Sequence, residues 1–155
     1  MSILTFVIGF SVLFNATLSG LSVDTALVKL PTRWRIGVLA YATFARGNDL
    51  GNGVRVYPVW AILSALLVAV PTILAVTRGL SSSLTLVLAI ASVATVGHFV
   101  VTGRAAPVML SLRNTADDER LLTARLNAFA RWHAARTVLQ LLASVTLIAA
   151  LVLSR

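Results

Sequence analysis

The sequence has no cysteine. That absence excludes disulfides, thiolate metal sites, iron–sulfur clusters and a cysteine nucleophile. It has only two histidines, and its five acidic residues all lie outside the long apolar runs. The buried carboxylate that an ion-coupled transporter uses as a proton relay is therefore missing. Two histidines with no carboxylate among the apolar runs do not make a three-ligand metal site. No resident cofactor is expected. Charge of either sign is scarce, at 12% of residues, where a soluble domain carries about 25%. What replaces it is apolar: 58% of the chain is hydrophobic and the mean hydropathy is +0.92. This composition suits a bilayer as solvent.

Four uncharged apolar runs stand out: residues 3–23, 57–76, 84–101 and 137–153. About 20 such residues, helical, cross a hydrocarbon core of roughly 30 Å. Together they use most of the chain and predict one domain over 1–155, an all-α integral membrane four-helix bundle in a cell membrane, with the lipid bilayer as its partner. The net charge of +8 would suit nucleic acid, but the placement of the bases argues against that partner. Lys29, Arg33, Arg35, Arg46 and Arg55 follow the first run, and Arg104, Arg113, Arg120, Arg125, Arg131 and Arg136 follow the third. Only Arg78 and Arg155 fall on the other side. By the positive-inside rule, loops 24–56 and 102–136 are cytoplasmic and both termini are outside. The first run has no basic residue before it, unlike a cleaved signal, and is expected to be retained.

Between the runs, Pro31 suits the first turn of a helix, and residues 32–46 mix aromatics with arginines. They read as a short helix in the cytoplasmic interface. Gly47–Gly53 is too rich in Gly and Asn for helix and reads as a turn. It lacks the Lys-Ser/Thr ending of a phosphate loop. Ala61, Ala65 and Ala69 invite close helix approach, Pro71 predicts a kink, and Ser81–Ser83 predicts a tight turn. Residues 104–114 contain Pro107 and define no clear element. Thr115 or Asp117 is expected to cap a last helix of about 116–153, helped by the acids that follow. At about 1.5 Å per residue it would be roughly 57 Å long, so 116–136 should extend into the cytoplasm.

Polar residues fall in stripes. On the last helix Leu122, Leu126, Phe129, His133, Thr137, Gln140 and Ser144 share one face. On the first run Ser11, Asn15, Ser19 and Ser22 do the same. The third run offers Ser92, Thr95, His98 and Thr102. Hydroxyls in such helices commonly bond their own backbone, and Asn15 can simply join two helices. The same stripes could line a polar cavity near the cytoplasmic side. His133 and Arg136 stand where a polar segment runs into an oily one, and ionisable groups in that position mark functional surfaces. Arg136 can alternatively snorkel to phosphate, and Trp132 can be an interfacial anchor rather than a ligand contact.

These pieces resemble a family of small four-helix membrane proteins named after anthrone oxygenases, most of whose members have no known function. The resemblance lies in Leu30-Pro31 through Arg46, in Asn48-Asp49-Leu50-Gly51-Asn52-Gly53 leading to Tyr57-Pro58, and above all in His133-Ala134-Ala135-Arg136-Thr137. It implies a cofactor-independent oxidation of an apolar, polyketide-like aromatic by O₂. His133 would be the base and Arg136 the oxyanion partner. Asn15, Gln140, Thr137, His98, Tyr57 and Trp132 would line or orient. The competing reading is a non-catalytic membrane partner, assembly factor or small-ligand binder. A haem or quinone carrier using His98 and His133 is a further alternative, and a homo-oligomer is compatible with all of them.

Overall fold

Each of the four apolar runs is a helix, and every one continues past its run at the same end of the bundle. The structure, a computed structural model, describes residues 2–155. Helix α1 (Ile3–Asp24) passes through a π-helical turn, Thr25–Lys29, into α2 (Leu30–Ile36). Helix α3 (Val38–Gly47) passes through a second π-helical turn, Asn48–Gly53, into α4 (Val54–Thr77). Helix α5 (Ser82–Leu110) closes in a single 3₁₀ turn, and α6 (Glu119–Leu153) completes the chain. Four continuous helical stretches result, 34, 40, 32 and 35 residues long, each long and apolar enough to cross a membrane.

Several local expectations give way to this continuity. Gly47–Gly53 is not a loop. Its backbone stays helical with one extra residue in the turn, which glycine and asparagine tolerate when the flanking helices are held by packing. Pro31 stands in the first turn of α2, as expected, where a missing N–H costs least, but α2 follows α1 through the π-helical turn without a loop between them. The break between the first two stretches is Gly37, whose φ of 86° is open to glycine and strained for other residues. It divides the expected 32–46 helix in two, and each half continues a long helix. Residues 104–110 are helical through Pro107. Helix α6 begins at Glu119 rather than 116, because the Asp118 carboxylate, not Thr115 or Asp117, accepts from the Leu121 N–H at 2.8 Å. The turn between α4 and α5 lies where it is expected. Gly79 takes φ 58° there, and Ser81 Oγ caps α5.

The four long helices form a ring in which α1 touches α4 and α6, and α5 touches α4 and α6. Two apolar cores occupy its ends. One gathers Ile8, Val68, Leu84, Leu88, Ala91 and Leu147. The other gathers Tyr41, Ala45, Leu112, Leu122, Leu126 and Phe129 from the helical extensions. Arg46 locks that second end: it donates to the Leu112 and Thr115 carbonyls at 3.0 and 2.8 Å and pairs with Asp117 at 2.7 Å. The polar stripes meet between the two cores. Ser19 Oγ contacts Ser144 Oγ at 2.7 Å and the Gln140 carbonyl at 2.9 Å. Ser11 Oγ reaches the Leu67 carbonyl, the acceptor that Pro71 deprives of its usual donor. On α4 the buried line is Ser64, Val68, Pro71 and Ala75; the three alanines expected to carry the contact flank it.

Candidate functional site

The inner face of α6 folds as its spacing requires. Leu122, Leu126, Phe129, His133, Thr137, Gln140 and Ser144 are all buried. His133 is 0% exposed, and both of its ring nitrogens are engaged. Nε2 lies 2.9 Å from the Ser22 carbonyl, and Nδ1 lies 2.6 Å from Arg136 Nη2. A carbonyl only accepts and a guanidinium only donates. The ring is therefore the neutral Nε2–H tautomer, donating to Ser22 and accepting from Arg136. Ser22 stands just before the first π-helical turn, where the Thr25 N–H is shared between the Leu21 and Ser22 carbonyls. A change of bonding register leaves a carbonyl short of a donor, and His133 supplies one. Phe129 stacks on the imidazole with centroids 5.3 Å apart.

In this arrangement His133 has no free lone pair with which to take a proton. It is also unavailable as a haem ligand. What it does is hold Arg136. The guanidinium lies at the wall of a cavity of about 330 Å³ between the two cores, within the roughly 300–1,000 Å³ of small-molecule sites. Most of the wall is apolar, including Leu18, Leu21, Pro58, Ile62, Phe99 and Met109. The polar exceptions are Asp49, Tyr57, His98, Arg136 and Gln140, with the hydroxyls of Ser22, Thr25 and Thr102. Among the described residues the ion pairs are Lys29–Asp24 and Arg46–Asp117, so no carboxylate is bonded to Arg136. Its Nε is buried without a partner. Asp49 shares the cavity, and its one hydrogen bond is from Asn48 Nδ2 at 2.9 Å.

At its inner end the cavity narrows to a polar crevice lined by Asn15, Ser64, Thr95, His98 and Gln140. Gln140 is 4% exposed and its Oε1 has no partner; neither has Ser64 Oγ. Unmet polar atoms in so buried a place are costly, and of these two residues Gln140 also lines the main cavity. Asn15 is otherwise occupied, donating to the Ser11 carbonyl at 3.0 Å and reaching the Ser64 carbonyl at 3.5 Å.

Of the residues singled out by sequence, Arg136, Gln140, His98 and Tyr57 come together on the main cavity wall, and Asn15 on its inner crevice. Three do not reach it. His133 lies behind Arg136. Thr137 Oγ1 bonds back to the His133 carbonyl at 2.8 Å. Trp132 is 42% exposed on the outer face. Sequence reasoning passed over Asp49, Thr25 and Leu50 as wall residues. Their signal was the Gly- and Asn-rich segment itself, which marks a π-helical turn as well as it marks a loop, and such turns frequently sit at functional sites. The second turn also presents Tyr57: a Cβ at Gly53 would stand 2.6 Å from Tyr57 Cε2. Glycine there lets the phenol lie against the turn.

Among the described residues, no three His, Cys, Asp or Glu side chains are grouped to hold a metal ion. A ring of four helices, long and apolar enough to cross a membrane and lining a ligand-sized cavity, has the make-up of a multi-pass membrane protein. The chain matches no protein-family model, no curated protein and no solved structure.

Proposed function

We propose that this protein is an integral membrane protein that binds an apolar aromatic molecule by a carbonyl or enolate oxygen at Arg136 and oxidises it with O₂. The observation that carries the reading is Arg136 itself: a guanidinium with no carboxylate partner, braced by His133, at the wall of a largely apolar cavity. Burying an unpaired cation is expensive, and an anionic or strongly accepting oxygen relieves that cost. The apolar wall supplies the aromatic fit, and the resemblance to anthrone oxygenases supplies the reaction class.

The step balances without a cofactor. A base removes a proton from the methylene of an anthrone, and the enolate oxygen is held by Arg136. O₂ adds to the carbanionic carbon, the resulting peroxide is protonated, and loss of water leaves a carbonyl. One methylene and one O₂ become one ketone and one water. Asp49 is the base in this reading, as the one carboxylate on the cavity wall. His133, with both nitrogens engaged, is a positioning residue. The experiment is turnover: the protein in phosphatidylcholine vesicles should consume anthrone and O₂ in equal amounts, and Asp49→Asn should bind anthrone but not oxidise it. Binding without O₂ consumption by the unaltered protein would leave a ligand-binding module in its place. Absence of binding would overturn the reading altogether.

The same proposal places loops 24–56 and 102–136 in the cytoplasm and both termini outside. The lipid-facing exterior supports insertion: Phe6, Leu13, Ile73, Val93 and Val145 are all exposed. Patches of that extent on a soluble surface would aggregate. With no native cysteine, Ser154→Cys should react with a membrane-impermeant maleimide on intact cells, and Thr123→Cys only after lysis. The reverse pattern would invert the topology.

A further inference from the structure

The cavity is not covered equally on all sides. Its wall residues on α6, Phe129 and Gln140, are buried, and on α1 Leu18 is buried while Leu21 is 39% exposed. On α4 and α5, Ile62 is 52% and Phe99 38% exposed, although both line the same cavity. A side chain that faces both a cavity and the exterior stands at an opening. Both residues fall inside the apolar runs, within 57–76 and 84–101, so this opening lies at the depth of hydrocarbon. The cavity's charged groups are elsewhere: Arg136 is on α6 and Asp49 in the π-helical turn.

The local sequence bears on how α4 lies against α5 there. Pro58, on the cavity wall, offers no N–H to the Val54 carbonyl, so the first turns of α4 lack one rung. The preceding Asn48–Gly53 turn is wound with an extra residue. Both features weaken the straightness that would let α4 lie flush along α5.

We infer that the cavity opens sideways into the bilayer between α4 and α5, at Ile62 and Phe99, and that its ligand is a lipid-soluble molecule delivered by the membrane rather than by water. The inference rests on the membrane reading and on Arg136 as the ligand's anchor. It also narrows the ligand. A molecule passing an apolar opening does so uncharged, so the ligand arrives as a neutral ketone or phenol and meets its only cation inside. Fatty anions and soluble organic acids are excluded as the arriving form.

The absence of native cysteine permits a direct test. Leu18→Cys places a single thiol on the inner wall, and Ala61→Cys serves as a second reporter if the first variant does not fold. In phosphatidylcholine vesicles the thiol should react with bilayer-soluble N-phenylmaleimide at least about ten-fold faster than with a sulfonated methanethiosulfonate applied to both sides. Adding Ile62→Trp and Phe99→Trp should slow the phenylmaleimide reaction by about ten-fold, by filling the seam. Val70→Trp, on the exposed face of α4 away from the cavity, should leave it unchanged. Equal reaction with the charged reagent, or an unchanged rate in the tryptophan pair, overturns the lateral opening. Leu21, exposed on α1 beside the same cavity, is the alternative opening, and slowing by Leu21→Trp alone would overturn the assignment to α4 and α5. The labelling needs no substrate, so its failure and the failure of anthrone turnover are separately visible.

Discussion

Replacing Arg136 by glutamine is expected to lower O₂-dependent oxidation of anthrone by about 10²–10³-fold, the usual cost of removing one preorganised oxyanion donor. The geometry explains why so much rests on one side chain. Arg136 is the only cation on the cavity wall, and its Nη2 is fixed by His133 at 2.6 Å. The remaining N–H groups are thereby aimed without entropy to lose when a ligand arrives. Glutamine keeps some length and polarity but removes the charge that an enolate oxygen would meet. Arg136→Lys is expected to recover little. A lysine ammonium is a compact charge on a flexible stem and cannot bond His133 and a ligand oxygen in one planar fork. Binding of neutral anthrone should weaken less than turnover, because the full negative charge exists only after proton removal. Parallel titration and steady-state rates in vesicles measure both. Undiminished turnover in Arg136→Gln would remove the central element of the proposed site.

Much of the bundle could be read without coordinates. Four uncharged runs could only be helices crossing from end to end, and the i, i+3, i+4 spacing on α6 identified its buried face residue by residue. What could not be read was continuity. Gly47–Gly53 and Pro31 carry strong local signals for a turn and a restart, but the helices on either side are tied to the second core through Leu30, Tyr41, Leu50 and Leu112. That packing outweighs an unfavourable residue or two, and the surplus residue goes into a π-helical turn instead of a loop. The site follows the same rule. Arg136, Gln140 and His98 were legible because they lie on regular helices, whose periodicity aims them. Asp49 was not, because it sits where the period changes. Nor could periodicity separate His133 from Arg136 by depth: both point to one side, and only the Ser22 carbonyl, left with a shared donor at the first π-helical turn, draws the imidazole behind the guanidinium.

That difference in depth sets the expected behaviour of His133. His133→Ala should destabilise the bundle by about 2–6 kcal/mol, since the Ser22 carbonyl and Arg136 each lose a buried partner, at roughly 1–3 kcal/mol apiece. Loss of the ring stacked on Phe129 adds a void. Turnover should fall with it, because an unbraced Arg136 no longer holds one direction. The alanine variant alone cannot tell a support from a base, as both proposed roles predict lost turnover. His133→Gln separates them. An amide offers a donor to the Ser22 carbonyl and an acceptor to Arg136, so it should restore most of the stability and bring turnover to within about ten-fold of the unaltered protein. It should also leave the shape of the pH–rate profile unchanged, because the proposed base, Asp49, is intact. A base, in contrast, cannot be replaced by an amide. A folded His133→Gln protein as inactive as a catalytic knockout, with the acidic limb of its profile lost, would return the proton transfer to the imidazole and require Arg136 to leave Nδ1 before each turnover.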